Sequence, residues 1–491
     1  MRARHFVLAG GAVALAMVFF GSPATSLAAP ASSPARSVPN AQVTTAPLPK
    51  AIDFEKLTQE ATELLVKYIK INTTNPPGNE LEAAKMLKEK FLSEGIPATT
   101  WEPEPGRGIV AARLRGIGRK QKALVLLSHM DVVPVDASEW KVPPFSGEIK
   151  DGSIWGRGAF DDKGPGVIEM ISMLAIKRAG ILLDRDIIFI ATGDEEVGGK
   201  AGAEWFTEHE RDIFSDAGYV LNLDAGGIIA LDNGKKFYSV DVTEKTPLWL
   251  RLTTHGTEGH ASVPPAQTAV TRLISALSRI MDFHPQIHVL GPVQDQFRVR
   301  AQLLRGPRQF LDLAASLQDA AFAREFLANP FQNASVRDTI APTVLSAGFK
   351  TNILPQVAHA EIDCRLLPGE DQKHFVTTLE KLINDKEVKL EVTLSSSASS
   401  SPSKSVLMNA LGQLAHQEDS APAVPGMSLG YTDSRFFRKL NLVTYSFTPI
   451  DHTPGQPSGV HGIDEHIEIK HLARGIKRMT ELLQIFGGTR K

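Results

Sequence analysis

The sequence predicts an α/β fold in which a helix-covered mixed sheet carries an inserted, smaller α+β domain. Three observations lead there. The short apolar runs Ala123–Leu127, Ile187–Ala191 and Tyr219–Leu223 are separated by helical patterns, notably 166–178. That alternation belongs to a sheet covered on both faces. From about Asp241 the order changes to strand, helix, two strands, helix, strand, as in a small α+β unit. The low-complexity stretch SSSASSSPSKS, residues 395–405, then reads as a hinge before the larger domain resumes.

Taken from the start, Arg2, Arg4 and His5 precede an apolar run from Phe6 to Phe20, and Ser26-Leu27-Ala28 offers small residues for cleavage. Residues 1–28 therefore read as a secretory signal peptide, with export to the periplasm or the medium, and an uncleaved anchor as the alternative. The run is short for a span of about 20 apolar residues, so no stable membrane insertion is expected after cleavage. Residues 29–50 are rich in Pro, Ala, Ser and Thr and read as a disordered linker. Helical spacing of Leu57, Ala61, Leu64, Leu65 and Tyr68 opens the folded part, and 79–93 continues in that style before Gly95. In the insert, 248–254 reads as a strand, 268–283 as an amphipathic helix, 343–349 and 359–366 as strands, 375–383 as a helix and 388–394 as a strand. A strand near 442–447 belongs to the larger domain again. The boundaries that follow are 51–242 and 397–491 for the larger domain and 243–396 for the insert.

Composition narrows the function. The 491 residues are 42% hydrophobic, and 53 Lys+Arg against 55 Asp+Glu leave a formal charge of -2. Sizeable cores are expected, and no global basic excess recruits nucleic acid. The single cysteine, Cys364, excludes an intramolecular disulfide and Cys-rich zinc modules. Any metal must sit on His, Asp and Glu. Three strand ends break into such residues: LVLLSHMD with His129 and Asp131, IIFIATGDEE with Asp194, Glu195 and Glu196, and YVLNLD with Asp224. Between the first two lies the Gly-rich loop WGRGAFDDKG, with Asp161 and Asp162. Functional groups in α/β sheets collect beyond strand C-termini, and imidazole plus carboxylates can hold a divalent ion without thiolates. Each cluster alone is commonplace; three at successive strand ends are not. His-Glu-x-x-His, GxxxxGK[ST] and GxSxG are all absent.

The ordered motifs SHMDVVP, GRGAFDDKG, TGDEEVGG, LNLDAGG, HGTEGHASVPP, TNILPQVAHAEIDCRLLPG, GYTDSRFF and VHGIDEH resemble the M20 metallopeptidase family. Within it, they look most like the branch of carboxypeptidase S and the secreted N-fatty-acyl-amino-acid hydrolases. The resemblance makes the larger domain catalytic and the insert a lid of the dimerisation type. It implies two zinc ions, one on His129 and Asp224, the other on Glu196 and His461, bridged by Asp161; Co²⁺ or Mn²⁺ also suit such donors. Asp131 would hydrogen-bond His129, and Glu195 would be the general base. Asp162 would be an outer residue, joined to Asp161 by a cis peptide, with the reverse assignment of the two acids left open. From the lid, His260 would polarise the scissile carbonyl, while Asn352 and Arg365 would hold a carboxylate or oxyanion. A salt bridge from Arg365 to Glu361 or Asp363 is the alternative. Gly430 and Thr432, with Asp433 and Arg435, would form a substrate-facing loop. Ala225 departs from the Glu that often follows the Asp224 position.

The implied function is an exported dinuclear-zinc amidohydrolase or exopeptidase acting on dipeptides or N-acyl amino acids with a free carboxylate. A homodimer through the lid is left open. The competing readings are an acetylornithine- or succinyl-diaminopimelate-type deacylase, disfavoured by export, and a catalytically inactive peptide-binding protein, disfavoured by the presence of Glu195 and every ligand.

Overall fold

The computed structural model describes residues 50–118, 121–452 and 458–488, so the signal-peptide and linker readings lie outside the described residues. Among them, no helix is long and apolar enough to cross a membrane.

The larger sheet is mixed. Its centre is three parallel neighbours, Ile187–Thr192, Ala123–His129 and Ala217–Asn222, with Val443–Ser446 parallel beside the last. Antiparallel strands Ile109–Leu114 and Ala98–Trp101 extend one side. On the other side come Lys236–Glu244 and Gly227–Ala230, with Ala423–Ser428 parallel to Lys236–Glu244. Both faces are covered, and the two-residue period of a strand sorts the side chains between them. Leu124, Leu126, Ile187, Phe189 and Ala191 pack with helices Phe54–Lys70, Glu80–Ser93, Lys163–Ala179, Val406–Asp419 and Ile469–Gly487. Their alternates Ala123, Val125, Leu127, Ile188 and Ile190 pack with Phe206, Phe214, Phe436 and Phe437. The helix starts obey local rules: Asp53 caps the first by accepting from the Lys56 amide, and Ser405, the last serine of the Ser-rich stretch, caps Val406–Asp419 through the Met408 amide.

The chain leaves this sheet at Glu244 and enters a four-stranded antiparallel sheet at Thr246. The strand order there is Thr339–Ala347, Val357–Leu366, Thr246–His255, Val388–Ser395. One face is covered by helices Ala269–Met281 and Gln372–Ile383. Along Val357–Leu366 the alternation is strict: Ala358, Ala360, Ile362, Cys364 and Leu366 are buried, while Arg365 and its alternates are half-buried or exposed. The return passes through the Ser-rich stretch, which is pinned: Ser400 bridges Thr243, and the Ser401 amide donates to the Val242 carbonyl.

Residues 284–338, to which the sequence reading assigns no element, form helices that include Gly291–Leu304, Ala320–Ala328 and Pro330–Val336. Val293, Phe297, Ala301, Phe310 and Phe326 give them a small core that also takes in Met427 from the larger sheet.

Candidate metal and catalytic site

The three central parallel strands place their acidic ends side by side. Nδ1 of His129 lies 3.0 Å from the backbone carbonyl of Asp131 and 3.5 Å from its carboxylate. Both are acceptors, so Nδ1 donates to Asp131, and Nε2 is the nitrogen turned toward the neighbouring acids. Nε2 faces Asp161 Oδ1 at 3.1 Å and Asp224 Oδ1 at 3.9 Å. The other oxygen of Asp161 lies 3.3 Å from His461 Nε2, which is also 3.1 Å from Glu196 Oε2. Two clusters result, His129–Asp161–Asp224 and Asp161–Glu196–His461, each with donor atoms within 4.8 Å of one another. Asp161 belongs to both.

Backbone geometry aims these groups. The Asp161–Asp162 peptide is cis, as the resemblance implies. Asp162 belongs to neither cluster and accepts from the His129 amide at 3.1 Å. His461 and Asp194 adopt φ of 54° and 70°, a left-handed conformation that costs a non-glycine residue roughly 1–3 kcal/mol. The loop after Asp224 is pressed against the sheet: a Cβ on Gly226, at φ +69°, would sit 2.4 Å from the Ser446 carbonyl.

The carboxylate of Asp131 accepts from the Glu195 and Glu196 amides, both at 3.1 Å, and from Asn75 at 2.8 Å. It thereby shapes the turn that presents both glutamates. Glu195 is buried, its Oε1 hydrogen-bonds to nothing among the described residues, and Arg435 stands 3.9 Å away.

Burial sets the electrostatics. It opposes charge on His129, but Asp131 and Asp161 outweigh it and hold the imidazole pKa well above its usual value. Burial pushes Glu195, Asp224 and Asp162 well above the carboxylate range, and neighbouring acids add to the effect. Asp161 goes the other way, because bonds to His129 and His461 outweigh its burial. Clustered acids of this kind are costly without a cation among them.

Two positioning groups receive no role from the motifs. Glu465 is fully buried and accepts from the amides of Gly158 (3.0 Å), Phe160 (2.8 Å) and Asp161 (3.0 Å) and from Arg157 (2.6 Å). It ties the loop of His461 to the loop of Asp161. Arg107 bonds Asn75 and the carboxylate of Asp194. Glu465 lies inside the quoted VHGIDEH segment; only the fold reveals its partners.

The lid groups stand apart. His260 is exposed and bonds Ser262, and Asn352 is exposed beside it, its carbonyl accepting from the Ala261 amide at 3.2 Å. Among the described residues, no hydrogen bond or ion pair joins either to the strand-end acids. Arg365 makes a two-point pair with Asp363, at 2.7 and 2.9 Å, and stacks over Tyr431 at 4.8 Å. Tyr431 also lies under Arg435, and its hydroxyl reaches the Glu196 carbonyl at 3.4 Å. The Thr432 hydroxyl donates to Glu244 at 2.9 Å, and the amide of exposed Gly430 to Ser428 at 3.2 Å.

Residues 125–485 match the model of peptidase family M20/M25/M40. The chain is 32% identical over 384 residues to the N-fatty-acyl-amino acid synthase/hydrolase PM20D1 of Xenopus tropicalis, covering 76% of this chain and 74% of that one. Aminoacylase-1 of Sus scrofa is 26% identical over 432 residues, covering 86% and 93%. The M20 metallo-carboxypeptidase Sso-CP2 of Sulfolobus solfataricus shares the fold, with a TM-score of 0.68 at 21% identity over 87% of this chain and 99% of that one. With its acids gathered at the ends of a mixed sheet and a smaller sheet inserted beside them, this chain is a hydrolytic enzyme and belongs to peptidase family M20/M25/M40.

Proposed function

We propose that the protein is an exported amidohydrolase of dipeptides or N-acyl amino acids with a free carboxylate, working with two divalent ions, zinc first. One observation carries the reading: the two oxygens of Asp161 each face a different histidine, with Asp224 completing one group and Glu196 the other. The donors fit the ions. All are N or O atoms, as Zn²⁺, Co²⁺ and Mn²⁺ accept, and desolvation and neighbouring acids oppose charge on half-buried Asp224, an opposition that a cation would relieve.

His129, Asp161 and Asp224 would hold one ion; Asp161, Glu196 and His461 the other. When bound, such ions polarise a carbonyl and ease deprotonation of water. The chain's own residues do the rest. Asp131 keeps the proton on His129 Nδ1 and holds the Glu195 turn. Glu195 takes a proton from the attacking water and delivers it to the departing amine nitrogen. Its burial supports that shuttle by raising its proton affinity. His260 polarises the carbonyl, and Asn352 and Arg365 hold the substrate's carboxylate or oxyanion. Gly430 and Thr432 belong to the loop facing the substrate. Residues 51–242 and 397–491 form the catalytic domain and 243–396 the lid, whose closure brings these groups in. The lid's edge strand Thr339–Ala347, with Val344 and Leu345 exposed, supports a homodimer through this domain.

The test is a metal count and a substrate panel on purified protein. Two ions per chain, activity lost on chelation and restored by Zn²⁺, and hydrolysis of N-acyl amino acids or dipeptides are expected. No hydrolysis across acyl lengths and C-terminal residues would overturn the reading. N-terminal sequencing of protein from the medium or periplasm should begin at Ala29.

A further inference from the structure

A cavity of about 650 Å³ opens beside Asp161 and Asp224 and runs toward the helices of 284–338. Its walls are largely apolar, with Phe237 and Met427 from the larger sheet and Phe331 from the helical segment. A further recess continues along Phe237, Phe297 and Phe331, and none of the acids lines it. Phe331 and Val460, both lining the cavity, keep 62% and 40% of their surface exposed. That is where an apolar ligand would find uncovered surface.

Among the described residues, one cation lines both cavity and recess: Arg300, half-buried on helix Gly291–Leu304. Among the described residues it makes no hydrogen bond, ion pair or ring contact. Asp232 is the acid that acts on it at longer range, while burial lowers its pKa. Its neighbours differ. Gln296, one turn earlier, donates to Ser239 at 2.5 Å, and Arg298 pairs with Asp295. A guanidinium with five unused donors against apolar walls is matched by a carboxylate, whose charge-assisted bonds strengthen where water is excluded.

We propose that this cavity receives the acyl side of the substrate and is shaped for an apolar chain ending in a carboxylate, which Arg300 binds. The inference rests on the amidohydrolase reading, because the cavity opens on the same acids. It adds a substrate class, N-acyl compounds whose acyl group carries its own terminal carboxylate, and a specificity role for the helical segment.

Calorimetric titration of zinc-loaded protein with octanedioate and octanoate tests it. Octanedioate should bind about 10- to 150-fold more tightly. Arg300→Met, which keeps the apolar stem, should erase that difference and leave octanoate affinity unchanged, and Arg300→Lys should restore part of it. Phe331→Ala should weaken both ligands by a similar factor. Equal affinity in the wild type, or a preference that survives Arg300→Met, would overturn the proposal. Should the wild type bind with the expected preference yet hydrolyse no N-acyl amino acid or dipeptide, the amidohydrolase reading fails and the carboxylate site stands.

Discussion

At the strand ends, His129, Asp131 and Glu195 are buried, and their backbone and side-chain partners come from the same sheet and its loops. In the lid, His260 and Asn352 are exposed, and Arg365 is paired within its own strand to Asp363. The first region is assembled before any substrate arrives; the second has its polar groups turned to water or to each other. Charged groups clustered in a buried site need a rigid frame, because small displacements change their energies strongly at low dielectric. Groups that grip a substrate must let it in and out, so they belong on elements that move or on a partner surface. Tyr431 stands between the regions, stacked on Arg365 from the lid and on Arg435 beside Glu195.

The sharpest division between the two regions should appear in Glu195→Gln. Under the proposed mechanism it keeps shape and metal content but removes the proton carrier, so kcat should fall by roughly 10²- to 10⁴-fold. Elemental analysis and steady-state kinetics on one preparation give both numbers, and undiminished kcat would remove Glu195 from its role.

Burying acids on the strand-end side should also mark the pH dependence of stability. Asp241, fully buried on Lys236–Glu244, has its pKa raised to about 7 by burial, against the Ser239 hydrogen bond. The folded state then holds this proton from about pH 4 to pH 7 where the unfolded chain does not. Stability therefore falls as pH rises through that window, by up to about 4 kcal/mol from this group. Asp241→Asn should flatten that part of a denaturation-versus-pH curve; an unchanged slope would assign it to other acids.

On the lid side, Arg365→Ala should cost roughly 10- to 150-fold in kcat/KM on free-acid substrates. It should add little further loss on amidated ones, because both changes delete the same contact. Equal turnover of acid and amide by the wild type would show that Asp363 keeps the guanidinium throughout the cycle.

The smallest effect concerns the tie between the loops of Asp161 and His461. Glu465→Gln places an amide where four donors converge, and metal affinity should drop by about 10- to 100-fold, as when outer hydrogen-bond partners of ligands are lost. A chelator competition titration reads this directly, and unchanged affinity would make the Glu465 network a fold support only.

Legible in the residues alone were the central strands, the acidic clusters at their ends and the helices near 57–68, 79–93, 166–178, 268–283 and 375–383. These depend on residue period and local capping, which neighbours in the chain decide. The sequence offered both fates for Arg365, carboxylate clamp or salt bridge, and the fold selected the Asp363 pair in this state because Arg365 and Asp363 lie two apart on one face of a strand. What depends on distant partners emerges only in the folded chain. Glu465 collects donors more than 300 residues earlier. The helices of 284–338 show helical spacing locally, at Val293, Phe297 and Ala301, but complete their core only with Met427 from the larger sheet. Arg300 is an ordinary surface arginine by its local pattern and becomes a cavity group only where that helix meets the sheet. Periodicity records which face a residue shows, whereas the strand register and helix packing that bring remote residues together are settled by the burial of the whole core.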